Sequence, residues 1–343
     1  MKGKMQQKKA DPKILVVGNG SWATALVKIL LFNKKNVYWW LRKQEYIDFI
    51  DAFRHNPKYL SSVDLNIKKE HMSCDIQQAI DGMNVVVLAS PSAYILDVLS
   101  PLKKTDFKNR IVVSAIKGTV GKKNQCINEY LSENFNVTDS KYVAITGPCH
   151  AEEVASERLS YLTFSSFSES LAHSVSQLFD NRFIRTNTSP DVLGTEYAAI
   201  LKNVYAILAG ICQGVGMGDN FQSVLVSNAM QEMSRFINAV HPMERNLLET
   251  CYMGDLLVTA YSQFSRNRTF GKMVGRGYSI KTAQIEMDMV AEGYYASKGV
   301  YELSQLHGIP TPLIDAVYHI LYHNVAPSIE ISLLSSLLNQ QFD

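Results

Sequence analysis

The 343-residue chain is poor in cysteine. Its five cysteines, Cys74, Cys126, Cys149, Cys212 and Cys251, are scattered without a CxxC pair or a histidine-rich partner spacing. That argues against a zinc site and against a disulfide framework, and it makes a reducing cytoplasm the expected compartment. Excess charge of either sign is also lacking: 34 basic residues face 32 acidic ones, for a formal net charge of +2, so bulk electrostatics give no case for a nucleic-acid partner. No stretch approaches the roughly 18 apolar residues of a membrane span, so no membrane anchor is expected. The basic start MKGKMQQKKADPK leads into an apolar run, Ile14 to Val17, far too short for a signal-peptide core, and reads as a solvated tail over residues 1–12. Internal repeats and low-complexity tracts are absent as well.

What is present suits packed cores. Hydrophobic residues make up 46% and charged residues 19% of the chain, whose length exceeds what one core usually organises, so two domains are expected. From Lys13 the pattern alternates: KILVVG as a short strand, SWATALVKILLFNK with helical spacing, then NVYWWLR as a second strand. Further apolar runs follow at 84–90, 110–118 and 141–147. Runs that are apolar throughout suit parallel strands buried on both faces. The fold class read from this is α/β, a doubly wound parallel (Rossmann-like) sheet over residues 13–190, followed by an all-helical domain over 191–343. The boundary falls in the polar, proline-containing segment RTNTSPDVLG, after which helical periodicity dominates.

The segment GNGSWA fits G-x-G-x-x-G/A as Gly18, Gly20 and Ala23, directly after a strand and opening a helix. Gly18 would permit the tight turn, Gly20 a close approach of backbone to a pyrophosphate, and Ala23 close helix–sheet packing, with the phosphates on the helix N-terminus. A ligand-free glycine turn is the plain alternative. At the end of the second strand, where an NAD site would place an acid on the ribose, the chain has Arg42 and Lys43. Two cations there accommodate a 2′-phosphate, so NADP(H) is the preferred cofactor and NAD(H) a possible one; a solvated basic loop is the alternative.

Residues just beyond the strand ends are where ligands sit in such sheets. Lys117 follows RIVVSAI and is either a surface cap or a cation aimed at cofactor and substrate. Lys202 lies in AAILKNVYAILAG, among apolar and small residues, where a lysine either snorkels to water or is desolvated toward a catalytically useful pKa. In GDLLVTAYSQFSRNRTFG (254–271), Arg266 and Asn267 follow Ser265 at an expected helix start, an arrangement that can grip a phosphate or merely cap a loop. Asp255 could orient a lysine or a substrate hydroxyl.

Six blocks, VVGNGSWATAL, SAIKG, GPCHAEEVA, GTEYAAILKNVYAI, GDLLVTAYSQFSRNRTFG and AEG (291–293), together resemble in order and spacing the signature segments of bacterial-type NAD(P)-dependent glycerol-3-phosphate dehydrogenases. The resemblance spans residues 13 to about 330. It implies reversible reduction of dihydroxyacetone phosphate to sn-glycerol 3-phosphate, a glycerophospholipid precursor, and a homodimer. By the same resemblance Lys202 matches the proton donor/acceptor, and Lys117 a lysine contacting substrate and cofactor. Gly147, Cys149, Asp255, Ser265, Arg266 and Asn267 fall on substrate positions, and Ser21, Trp22, Arg42, Ala151, Arg266, Val290 and Glu292 on cofactor positions. Cys149 and His150 stand where the family usually has Ser-Phe; a thiol is a weaker hydrogen-bonding partner than a hydroxyl, and His150 reads as a histidine packed at a helix start. Ketopantoate or 3-hydroxyacid reductases, of similar build, and a non-catalytic dinucleotide sensor are the alternatives.

Overall fold

In the computed structural model, which describes residues 11–287 and 291–338, the chain builds an eight-stranded sheet and then a helical bundle. The strands are β1 (Lys13–Val17), β2 (Asn36–Trp40), β3 (Met72–Ser73), β4 (Val85–Leu88), β5 (Ile111–Ser114), β6 (Tyr142–Thr146), β7 (Ser160–Ser165) and β8 (Ile184–Ser189). Their spatial order is β3-β2-β1-β4-β5-β6-β7-β8. The first six run parallel in the doubly wound order 3-2-1-4-5-6; β7 joins β6 antiparallel and carries β8 parallel to itself. β1 and β4 are buried along nearly their whole length, as expected for strands covered on both faces.

Two features depart from the sequence-based expectation. Three strands, β3, β7 and β8, were not foreseen. β3 is only two residues long, and β8 (IRTNTS) at the sheet edge is polar after Ile184 and buries only its two end residues, so neither makes an apolar run. The residues Arg185–Ser189 of the expected linker are therefore strand, and the sheet ends only at Ser189. The second departure concerns the long helix Val192–Val215. Its length and mean hydropathy of 1.5 would suffice to cross a membrane, contrary to the expectation that no such stretch exists, but 83% of its most apolar window is buried inside the protein. It is the axis of the helical domain.

Against this axis pack the helices Asp255–Tyr261, Arg266–Gly275, Glu292–His307 and Pro312–Tyr322. The closest approach is to Arg266–Gly275, and glycines make it possible. A Cβ added at Gly210 would lie 2.0 Å from the Arg268 carbonyl oxygen, and one at Gly271 2.0 Å from that of Ile207. Gly214 and Gly275 continue the seam, each with backbone within 2.5 Å of the place a Cβ would take. This seam fixes where Ser265, Arg266 and Asn267 sit relative to Lys202, because both groups ride on the two helices it joins.

Overpacking that seam is costly, since backbone rather than a pliable side chain must move. Gly271→Ala is expected to lower stability by about 1–3 kcal/mol, read as a lower urea midpoint at unchanged slope. Gly218→Ala, at a position with φ of −83° and open space around it, meets no clash and is expected to cost only the weaker N-cap of the helix Asp219–Val240, about 1 kcal/mol or less.

Candidate active site

β1 ends at Val17 and the chain turns at Gly18, whose φ is +136°. A side chain there would be strained, and its Cβ would fall 2.7 Å from the Ala89 carbonyl oxygen at the end of β4. Trp39 Nε1 donates to the Gly18 carbonyl at 2.6 Å and anchors the turn from beneath. Gly20 then leads into the helix Ser21–Phe32, whose first-turn amides have no partner within the helix, and Gly20, Ser21 and Trp22 line a cleft of about 180 Å³. Ala23 is fully buried against the sheet. The first turn thus presents free amides beside bare backbone, an arrangement able to receive an anion.

The opposite wall carries Lys202. Its helix exposes almost none of it to water, 5% of the residue, and its ammonium donates to Asp255 Oδ1. Asp255, 1% exposed, opens the helix Asp255–Tyr261 after a single wide turn, Thr250–Gly254. Its second oxygen accepts from the Gly147 amide at 3.3 Å and stands 4.0 Å from the Lys117 ammonium. Two lysines from different domains therefore share one buried carboxylate. Burial pushes the Lys202 pKa below the ordinary lysine value; Asp255 opposes this shift and the Lys117 charge adds to it. The Lys117 ammonium also lies 5.6 Å from the Trp22 ring centroid, and the Lys117 carbonyl accepts from Asn203 Nδ2 at 3.2 Å.

The third wall is the start of the helix Arg266–Gly275. Ser265 caps it, its hydroxyl accepting from the Arg268 amide at 3.3 Å. Arg266 reaches across the cleft to donate to Ser21 Oγ and pairs with Glu152 at 3.4 Å. Asn267 Oδ1 accepts from the Gly293 amide at 3.0 Å, tying this helix start to the one that carries Glu292. Burial raises the Glu292 carboxyl above its usual range.

Most residues singled out from sequence meet here. Gly20, Ser21, Trp22, Lys117, Cys149, Ala151, Lys202, Asp255, Ser265, Arg266, Asn267 and Glu292 all line the cleft. Gly147 contributes its amide from just behind, at φ +106°. Val290 lies outside the described residues. Arg42 lines a neighbouring cleft beyond β2 with Asn19, Trp40 and Tyr94, whereas the Lys43 ammonium is paired with Glu45 at 2.9 Å and lines neither. Cys149 is a buried thiol pushed up to about 12, so it offers neither a thiolate nor a nucleophile. His150 immediately precedes the short helix Ala151–Ala155 without a side-chain bond to it and lines the cleft, with burial and the two lysines depressing its pKa. Sequence reasoning missed Asn203, Glu152 and Thr259 as lining residues. Asn203 adjoins Lys202 and could have been suspected, but Glu152 meets Arg266 only through the fold.

A glycine turn that opens one helix and the capped start of another thus face a desolvated lysine across one cleft. The family models described as the N-terminus and C-terminus of NAD-dependent glycerol-3-phosphate dehydrogenase match residues 13–172 and 191–332. An NAD(P)+ glycerol-3-phosphate dehydrogenase of Chlorobium limicola is 34% identical over 310 residues, covering 90% of this chain and 93% of its own length. The chain belongs to the glycerol-3-phosphate dehydrogenase family. A glycerol-3-phosphate dehydrogenase crystal structure from Coxiella burnetii superposes with a TM-score of 0.88 at 25% identity, covering 96% of this chain and 99% of its own. A ketopantoate reductase from Ralstonia eutropha superposes at 0.60 with 14% identity, a likeness of fold alone. Within a dehydrogenase family, a buried lysine paired to a carboxylate is suited to exchanging a proton with a carbonyl oxygen.

A proton donor must be charged and an acceptor neutral, and the depressed pKa of Lys202 sets where each form prevails. Carbonyl reduction is therefore expected to slow as pH rises through that pKa, below the ordinary lysine range, while alcohol oxidation accelerates. Asp255→Asn removes the group that raises the pKa, so the limb of the reduction profile should move to lower pH. Lys202→Ala should cut turnover by about 10²–10⁴-fold with cofactor binding little changed; unaltered turnover contradicts the assignment.

Proposed function

We propose that this cleft carries out the reversible NAD(P)H-dependent reduction of dihydroxyacetone phosphate to sn-glycerol 3-phosphate, with Lys202 as proton donor and NADPH as preferred cofactor. The observation that carries the reading is the buried Lys202–Asp255 pair standing in one cleft with the Ser21 helix start and the Ser265–Asn267 helix start. The residues fit a dinucleotide: Gly18 leaves no room for a side chain, and Trp22 Nε1 is shut from water without a partner beside the phosphate turn. When bound, the nicotinamide supplies hydride to the ketone carbon.

The chain's own groups do the rest. Lys202 donates its proton to the ketone oxygen as negative charge grows there, and the Lys117 ammonium stabilises that charge from the other side of Asp255. Asp255 holds both ammonium groups in place and keeps Lys202 from losing its proton too early. Arg266, Asn267 and the amides of their helix start bind the substrate phosphate and so fix the ketone in reach of the donor. In the oxidation direction, neutral Lys202 takes the hydroxyl proton. Arg42, beyond the end of β2, is placed to meet a 2′-phosphate, and the preference for NADPH rests on it rather than on Lys43.

The same reading extends to a division of the chain at residues 190 and 191, a cytoplasmic homodimer, and a product that feeds glycerophospholipid synthesis. The division is supported by the end of the sheet at Ser189 and the start of the apolar axis helix at Val192.

Arg266→Ala is expected to raise KM for dihydroxyacetone phosphate about 10- to 100-fold, the worth of a charged hydrogen-bonding group. An equal loss with unphosphorylated dihydroxyacetone contradicts the phosphate role. For the cofactor, kcat/KM should favour NADPH over NADH, and Arg42→Ala should erase most of the difference; an NADH preference in the parent overturns the reading of Arg42.

A further inference from the structure

Among the described residues, Arg266 is the one cleft cation whose partners both come from the sheet domain while it rides on the helical one. Its Nη2 bonds Ser21 Oγ and stands 3.4 Å from Glu152 Oε1. Neither charged side chain is sealed off, with 30% of Arg266 and 27% of Glu152 exposed, and both line the cleft. Lys117, Lys202 and Arg266 give the cleft its anion affinity, and the Asp255 carboxylate is already held by the two lysines. The Glu152 carboxylate has no such role. It stands beside the phosphate grip and occupies a guanidinium donor that an incoming oxyanion needs.

We infer that Glu152 is the resting partner of Arg266, exchanged for a phosphate oxyanion when a ligand enters the cleft. This rests on the phosphate role of Arg266 proposed above and adds a specificity device to it. A guanidinium presents five donors in a fixed fork and binds carboxylate and phosphate with the same geometry, so the two compete for it. A phosphate dianion outbids a single carboxylate held in a half-exposed pair, whereas a neutral hydroxyl does not. The pair therefore keeps Arg266 drawn over the phosphate loop before any ligand is bound, and sets a threshold that favours phosphate-bearing ligands. The competing oxyanion could be the substrate phosphate or the cofactor pyrophosphate, since Ser21 belongs to the nucleotide turn.

The test uses the full-length protein and three readouts: inhibition by inorganic phosphate, KM for dihydroxyacetone phosphate, and the Kd of NADPH. In Glu152→Gln the competitor's charge is gone, and phosphate-bearing ligands should bind about three- to tenfold more tightly, as loss of a half-exposed ion pair allows. Tighter inorganic phosphate and a lower KM identify the substrate phosphate as the exchanging group; a lower NADPH Kd alone identifies the pyrophosphate. Glu152→Asp, which keeps the charge, should stay near the parent, separating this role from a packing one. In the Arg266→Ala background, Glu152→Gln should change none of the three by more than about twofold, because the effect travels through the guanidinium. Unchanged or weaker binding in Glu152→Gln overturns the inference, as does tightening that survives Arg266→Ala. If Arg266→Ala alone leaves phosphate inhibition, KM and Kd at parental values, it is the phosphate role of Arg266 that fails.

Discussion

Two ammonium groups share one buried carboxylate, and the chemistry depends on that arrangement. A lysine as enclosed as Lys202 is tolerated only because Asp255 offsets part of its desolvation, and Asp255 is tolerated because Lys202, the Lys117 charge and the Gly147 amide surround it. The balance leaves Lys202 easier to deprotonate than an ordinary lysine. A proton donor that must later act as acceptor needs such a balance near working pH. Each participant comes from a different element: the axis helix, the helix after the wide turn at Thr250–Gly254, the loop after β5 and the loop after β6.

Holding four elements to that tolerance is a packing problem, and the glycine seam between Val192–Val215 and Arg266–Gly275 is a large part of the answer. Without Cβ atoms at Gly210, Gly214, Gly271 and Gly275 the helix backbones approach until carbonyls and amides touch. Ser265, Arg266 and Asn267 then emerge from the end of the second helix within reach of the nucleotide turn, while Lys202 emerges from the first. Asn203 and Asn267 complete the lattice with bonds to the Lys117 carbonyl and the Gly293 amide. Lys202, the Ser265–Asn267 helix start and the turn at Gly18–Gly20 are positioned by the same contacts that stabilise the bundle.

Much of this was legible in the sequence, for identifiable reasons. Strands buried on both faces write themselves as apolar runs, so β1, β4, β5 and β6 were visible, and the order strand, GNGSWA, helix located the glycine turn that opens onto the cleft. β8 was not visible because an edge strand with half its side chains in water has the composition of a loop. The axis helix misled in a different way. Interspersed with lysine, glutamate and tyrosine, it did not look like a span, yet its hydropathy equals that of one, because a helix surrounded by protein must be nearly as apolar as a helix surrounded by lipid. Single site residues were legible when chemistry conflicted with surroundings, as for Lys202. Contacts that exist only in space, such as Asp255 bridging two lysines or Glu152 meeting Arg266 across 114 positions of sequence, left no local pattern to find.

The central claim is that the desolvated lysine, the nucleotide turn and the phosphate grip form one reductase site for a phosphorylated ketone. The most direct measurement is the absorbance of reduced nicotinamide when dihydroxyacetone phosphate, or unphosphorylated dihydroxyacetone at the same concentration, is added to the protein and NADPH. The account predicts a rapid fall with the phosphate ester, glycerol 3-phosphate as the product, and little change with the unphosphorylated ketone. A steady signal with dihydroxyacetone phosphate, or equal rates with both ketones, would contradict it.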